Sequence, residues 1–368
     1  MPGTIPSVDA ARLRAEFPVF ERVAYLNAGT CGPLPVAARR ALDEVVDLAE
    51  VDGRRGAYYD RFLALRDRQR ETYAALLGAS PDDVALTTST SEGIGRVLAG
   101  LDLVEDDEIL TSDAEHPGLL GPLLGARMRH GITITTAPLA ELAERVTERT
   151  KLVACSHVGW VSGEVAPRFD AGVPVLLDGA QGIGAVPVDV GELGCAFYAC
   201  SGQKWLCGPV GTGMLYVAPD WRERLQPVGF AYSSYEDAHR ALEPDALHAG
   251  ARRFDAAALN PELAAAALAS IDVLGGYGWE RVHERSCTLA EQLAERLREG
   301  GRTVGPRGDT TLVAWEDDDP EATAERLGGE GIAIRFLPGT PYLRASVGAW
   351  NDEGDLDRLV EAALAPAP

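Results

Sequence analysis

The sequence lacks any uninterrupted apolar run of the ~18 residues that a membrane-spanning helix requires. It also lacks a basic surplus. Its 56 Asp and Glu outnumber 34 Lys and Arg, leaving a formal charge of −22. Nucleic-acid binding needs a basic footprint, so that partner is excluded. Six cysteines stand at 31, 155, 195, 200, 207 and 287 with no CxxC pair and no His/Cys cluster at metal spacing. Neither a disulfide framework nor a metal site is expected, and the thiols read as small buried side chains in a reducing compartment. The start, Met1-Pro2-Gly3-Thr4-Ile5-Pro6, has neither the basic head nor the apolar middle of a secretory signal. The expectation is a cytoplasmic protein with no membrane partner.

What is present is a chain of 368 residues, 46% apolar, long enough to bury a substantial core. Short apolar runs suggest strands over 84–88, 108–111, 132–136, 152–156, 173–177, 196–200 and 213–217. Amphipathic or Gly-bounded stretches over 91–101, 117–130 and 139–149 read as helices between them. Such alternation predicts an α/β fold with a doubly wound, mostly parallel sheet, whose ligands bind at the carboxyl ends of the strands. After about residue 260 the pattern changes to two long helices (261–274 and 279–298), then strands, a short helix from Pro320 and a last helix over 352–364. That part reads as an α+β appendage. The stretch 226–253, rich in Tyr, Gly and Ser, is a long connection with little periodicity.

Four motifs fall just after predicted strands. Lys204, in Ser201-Gly202-Gln203-Lys204-Trp205, is a strongly hydrated ammonium at the end of an apolar run. It is either a snorkelling side chain or an amine whose depressed pKa suits it to condense with an aldehyde. The Gly-rich sequel over 208–213 favours close backbone approach to a ligand. It leads into a strand, not from strand to helix, so it is no dinucleotide fingerprint. Asp178 follows the all-apolar Val175-Leu176-Leu177. It is an N-cap, a structural ion pair, or a carboxylate that keeps a pyridine nitrogen protonated. The hydroxyl-rich turn Thr87-Thr88-Ser89-Thr90-Ser91 reads as plain capping or as a phosphate cradle at a helix start. His116, in Asp113-Ala114-Glu115-His116-Pro117, again follows a strand; a lone His in such a place is more often structural than functional.

Taken together these residues resemble the class V aminotransferase superfamily of fold-type I enzymes, which use pyridoxal phosphate (PLP). The family includes cysteine desulfurases, selenocysteine lyases, isopenicillin-N-epimerase-like proteins and carbon–sulfur lyases. The resemblance runs from Tyr25-Leu26-Asn27-Ala28-Gly29 to Leu343-Arg344-Ala345-Ser346-Val347-Gly348-Ala349-Trp350-Asn351. It implies a seven-stranded, mostly parallel sheet in a large PLP domain (26–258), a small C-terminal α+β domain (259–368) and an N-terminal segment (1–25) packing with the latter. It also implies a homodimer acting on a small amino-acid substrate. By the same resemblance Lys204 carries the cofactor as a Schiff base and shuttles protons. Asp178 pairs with the pyridine nitrogen, Gln181 with the phenolic oxygen, and His116 stacks on the ring. Thr90, Ser91, Ser201 and Gln203 hold the phosphate. Arg344 clamps the substrate carboxylate, with Asn27 and Trp160 beside it.

The chain departs from the family at points that bear on the reaction. Desulfurases carry a nucleophilic Cys between two C-terminal strands, whereas Arg335-Phe336-Leu337-Pro338-Gly339-Thr340-Pro341-Tyr342 has none, and Cys287 lies upstream in a helical segment. Trp160 stands where the family often has Asn, Gln203 where many relatives have His, and Ala258 where a Thr reaches the neighbouring subunit's phosphate. The stretch 166–171 is too short for the helix that usually precedes the Asp strand. The resulting expectation is a carbon–sulfur lyase acting by β-elimination on an S-substituted cysteine. Transamination, epimerisation and a catalytically silent binding module are the alternatives. The aromatics Trp160, Trp205, Tyr232 and Tyr235 suggest either a substrate larger than cysteine or ordinary packing.

Overall fold

The computed structural model describes residues 9–170 and 172–365. Residues 1–8 of the expected N-terminal segment, and Ala171 in the stretch 166–171, lie outside the described residues. Twelve strands follow in chain order: β1 (Ala24–Tyr25), β2 (Val84–Thr87), β3 (Glu108–Ser112), β4 (Thr133–Ala137), β5 (Thr150–Ser156), β6 (Val175–Asp178), β7 (Phe197–Ser201), β8 (Gly213–Val217), β9 (Leu312–Glu316), β10 (Ile332–Ala333), β11 (Arg335–Phe336) and β12 (Tyr342–Ser346).

Seven of them form one sheet in the order β2-β8-β7-β6-β5-β3-β4. Only β8 runs against its neighbours, so the other six direct their carboxyl ends to the same edge. Both faces are covered. Val153, Cys155, Leu177, Tyr198 and Cys200 point into one apolar cluster, and Leu152, Ala154, Leu176, Phe197 and Ala199 into the other. Burial on two sides is why these strands read as continuous apolar runs in the sequence.

A second body packs Leu289, Leu293 and Leu297 of helix Trp279–Glu299 against a three-stranded sheet, β11-β12-β9. β1 pairs with β10 in parallel, and Leu13 and Phe17 share a cluster with Trp205, Leu312 and Trp350. The chain entering the fold is thereby fastened to the elements that close it.

Several local expectations need correction. The stretch 139–149 is not an α-helix but a 3-10 helix, Leu139–Arg145. Beyond it, the Thr147 amide donates to the Thr150 hydroxyl at 2.9 Å and the Thr150 amide to the Thr147 carbonyl at 3.1 Å, a local turn that competes with helix. The connection 226–253 is not structureless: it holds 3-10 helices Tyr232–Ser234, Ala238–Arg240 and Pro244–Ala246 and runs into Ala251–Phe254. Between β5 and β6 there is no helix among the described residues; Ala166 and Phe169 are buried and cover the sheet there. Helices Val36–Val51 and Gly56–Leu77 were not anticipated. No helix among the described residues is long and apolar enough to cross a membrane.

Candidate active site

The carboxyl edge of the large sheet gathers the predicted residues. After β7 the chain turns sharply through Gly202-Gln203-Lys204-Trp205, held by the Gly32 amide on the Gln203 carbonyl (2.7 Å) and the Gly208 amide on the Gly202 carbonyl (2.9 Å). Burial in the cleft lowers the Lys204 pKa to about 8; nearby Asp178 opposes the shift and Arg344 adds to it. The amine is therefore available as a nucleophile near neutrality, which disfavours the snorkelling reading. Lys204 is one of only two lysines in the chain; the other, Lys151, is exposed and faces Asp107 at 3.7 Å.

Asp178 closes β6 and is 5% exposed. One carboxylate oxygen accepts from the Ala180 amide at 2.9 Å, and no other donor reaches the side chain among the described residues. Burial raises its pKa while Lys204 lowers it. The helix-cap and ion-pair readings both fail, since no helix starts there and no basic side chain bonds to it. Gln181 is held at both ends: its Oε1 accepts from the Trp205 indole at 2.9 Å and its Nε2 donates to the Gly29 carbonyl at 2.8 Å. An indole N–H only donates, so this contact fixes the amide's orientation and leaves Nε2 a second hydrogen. Trp205, 1% exposed, is thus a support for Gln181 and not a substrate wall. Tyr232 is largely exposed, and Tyr235 stacks on Phe230 with centroids 6.4 Å apart.

His116 caps helix Pro117–His130 through Nδ1, which accepts from the Gly118 amide at 2.9 Å. Burial, Lys204 and Arg335 push its pKa down to about 4, so the ring is neutral near pH 7. Trp160 meets it edge-on at 5.0 Å and donates its indole N–H to the Ala114 carbonyl at 3.1 Å. At the start of helix Thr90–Gly100, Ser89 is the cap, accepting from the Glu92 amide at 3.2 Å. Thr90 and Ser91 are therefore not needed for capping, and the Thr90 hydroxyl is buried with no partner. Ser91 Oγ lies 3.0 Å from where a side chain on Gly118 would begin, so the N-termini of the two helices converge. Ser201 is buried at the end of β7, and the Gln203 amide oxygen is buried without a donor.

On the opposite wall, β12 presents Arg344, 2% exposed. Its Nη1 donates to the Trp160 carbonyl at 2.6 Å; its Nε has no partner, and it forms no ion pair among the described residues. Burial, with Arg335 nearby, lowers its pKa to about 9. Gly29 is required here, because a side chain would begin 2.9 Å from Arg344 Nη2 and 2.7 Å from Ser346 Oγ. Asn27 bridges to Ser346, and the Asn27 Oδ1 and Ser346 Oγ are both buried without partners.

Sequence reasoning missed Arg335, the register partner of Arg344 across the β11–β12 hairpin. The Pro338-Gly339 turn was the available signal for that pairing. It also passed over Glu115 as a site residue. Glu115 is 6% exposed and ties Ser112 to Ser156 through hydroxyl contacts of 2.5 Å each, bracing the ends of β3 and β5.

These residues fit PLP on the structure's own terms. A buried carboxylate waits with a free oxygen, a depressed amine stands near it, and the orphaned Thr90 hydroxyl lies at one of two convergent helix starts suited to phosphate. Comparison with known proteins agrees. The family model described as aminotransferase class-V matches residues 49–359. The isopenicillin N epimerase of Streptomyces clavuligerus is 30% identical over 378 residues, spanning 92% of this chain and 94% of its own. The cysteine desulfurase CsdA of Escherichia coli is 30% identical over 393 residues, spanning 96% of each chain. Among solved structures, the cystine C–S lyase C-DES in complex with cysteine persulfide superposes with a TM-score of 0.89 at 27% identity, covering 96% of this chain and 100% of that one. Another C-DES structure carries glycine covalently linked to its PLP cofactor. Fold and site together define a fold-type I enzyme whose cofactor is pyridoxal phosphate. The chain belongs to the class V aminotransferase family.

Proposed function

We propose that this enzyme cleaves the C–S bond of an S-substituted cysteine by β-elimination and works as a homodimer. One observation carries the reading. The hairpin facing the site turns through residues 337–341, a stretch with no cysteine, and presents guanidinium groups instead of a thiol. With no thiol on that loop to take up sulfur, the sulfur leaves attached to its substituent.

PLP, when bound, condenses with an amino group and draws electrons from the neighbouring carbon. Asp178 would keep the pyridine nitrogen protonated, the spare Nε2 hydrogen of Gln181 would serve the phenolic oxygen, and neutral His116 would help to line the cofactor's place. Thr90, Ser91, Ser201 and Gln203 would hold the phosphate. Arg344 takes the substrate α-carboxylate in a bidentate grip, with Asn27 and Trp160 beside it. Lys204, whose pKa burial depresses, would accept the Cα proton at Nζ. The Cβ–S bond then breaks with its electron pair going to sulfur, which picks up a proton. Addition of water to the remaining three-carbon fragment yields pyruvate and ammonia, so one substrate and one water give one thiol, one pyruvate and one ammonium. Leu120, Leu124 and Met128, spaced four apart on an exposed helix face, suit a subunit contact. Ala258 has no hydroxyl to lend a neighbouring site.

The test is to add a panel of S-substituted cysteines to the yellow holoenzyme while following its visible spectrum and the release of ammonia and pyruvate. Repeated turnover with the starting spectrum restored is the expected result. Stoichiometric bleaching reversed by a keto acid would make it a transaminase and overturn the lyase reading.

A further inference from the structure

A second cleft, of about 1260 Å³, opens where the chain runs on from Gln181, and none of the residues placed at the cofactor lines it. One wall is apolar: Leu76, Ile183, Val186 and Val188, joined by Trp279. The other is a face of helix Trp279–Glu299 bearing Glu280, Glu284, Glu291 and Glu295, with Asp309 beside it. Helix positions four apart share a face and lie about 6 Å apart along the axis, so these carboxylates form a stripe. No lysine or arginine lines the cleft. Arg298 and Arg307 both take Glu291, while Glu280, Glu284, Glu295 and Asp309 form no ion pair among the described residues.

An acidic helix face alone is an ordinary solvated surface. Two imidazoles distinguish this one. His157 is 2% exposed, and its Nδ1 is engaged by the Tyr198 hydroxyl at 2.9 Å. Its Nε2 is left without a hydrogen-bond partner on a side chain that lines the cleft. His283 lines it too, stacked at a tilt on Trp279 with centroids 5.8 Å apart, and its buried Nε2 also has no partner. Burial pushes both pKa values down to about 4, so both rings are neutral near pH 7. Buried polar atoms left unpaired are costly, and here two of them border one cavity. No group of three or more His, Cys, Asp or Glu among the described residues could hold a metal ion. The geometry therefore calls for positive charge spread along an apolar body, not concentrated at a point.

We propose that this cleft is a second ligand site that binds an aliphatic amine carrying two positive charges. Its methylene body lies against Leu76, Ile183 and Val186. Its ammonium groups lie along the stripe from Glu280 to Glu295, with Nε2 of His157 and His283 as acceptors. The assignment does not rest on the lyase reading. The site backs onto the catalytic turn: the His157 amide donates to the Asp178 carbonyl at 2.9 Å, and a side chain on Gly182 would meet both His157 and Tyr198.

The test is calorimetric titration of the holoenzyme with bis(dimethylamino)octane, whose tertiary amines cannot condense with the cofactor's aldehyde. Octanediol and octanedioate serve as neutral and anionic compounds of matched length. The diamine should bind saturably, one per chain, at least about tenfold more tightly than the diol, as hydrogen bonds to charged groups allow. The dioate should not bind. E284Q/E295Q should bring the diamine down to the level of the diol. E321Q/E325Q, which removes the same charge from the exposed face of helix Pro320–Gly329, should leave binding within about twofold. V165W, at a half-exposed position lining the cleft, should abolish binding of diamine and diol alike. Equal binding of diamine and diol to the wild type, or diamine binding that survives V165W or E284Q/E295Q, would overturn the assignment. So would an equal loss in E321Q/E325Q, which would mark attraction to the acidic surface at large.

Discussion

Two arginine pairs among the described residues differ in whether an anion already lies against them. In the first, Arg66 and Arg70 of helix Gly56–Leu77 close on Asp255, which is fully buried. Asp255 takes Arg70 through both oxygens (3.0 and 2.7 Å), Arg66 at 2.8 Å, and the Leu86 amide at 2.9 Å. In the second, Arg344 and Arg335 share a hairpin face with no carboxylate between them. The cost of burying a charge is offset within the chain at the first site and left open at the second. The first pins the segment around Ala251–Phe254 to β2, where the Ala256 amide also donates to the Leu86 carbonyl at 2.8 Å. We propose that the second awaits an anion from outside, so that the filled site is structural and the unfilled one functional, and this distinction can be tested from either side.

The largest effect on stability should come from emptying the filled site. Asp255→Asn leaves two guanidiniums buried without a counter-charge and should cost about 3–5 kcal/mol, read as a lower denaturation midpoint. No change in the midpoint would mean that the triad is not structural. Arg344→Gln should act in the opposite sense on the two properties. The holoenzyme should lose about 10–100-fold in substrate affinity while its midpoint holds or rises, because an uncompensated charge has been removed. Equal weakening of cofactor and substrate binding would mark Arg344 as structural after all.

The smallest effect should come at Cys31. It is partly exposed and precedes Gly32, whose amide donates to the Gln203 carbonyl next to Lys204. Cys31→Ala should leave sulfur release from S-substituted cysteines within about threefold, since no covalent step passes through it (~0.6 kcal/mol). Abolished release would return a protein thiol to the sulfur chemistry.

Much of this was legible in the sequence because the local signals were strong. All seven strands of the large sheet were found to within a few residues, since burial on both faces makes each an apolar run. Lys204, Asp178 and His116 stood out because each follows such a run with a group that a strand end should not bury alone. The hairpin pair was not legible in the same way. Arg344 was read through resemblance, while Arg335, nine residues earlier, looked like an ordinary charged residue until pairing set it opposite. Cross-strand register is non-local information. The same holds for Asp255, whose partners Arg66 and Arg70 lie more than 180 residues away along the chain. The helices Val36–Val51 and Gly56–Leu77 carry many charged residues, which obscured the apolar spacing that packs them.

Lys204 is the cofactor's proposed point of attachment, and a chain with only two lysines makes that unusually clean to measure. The holoenzyme is treated with borohydride, digested, and its peptides mapped by mass. The account predicts the reduced pyridoxyl group on Lys204 and none on Lys151, with the label lost in Lys204→Ala. A label on Lys151, or an undiminished label in that variant, would contradict it.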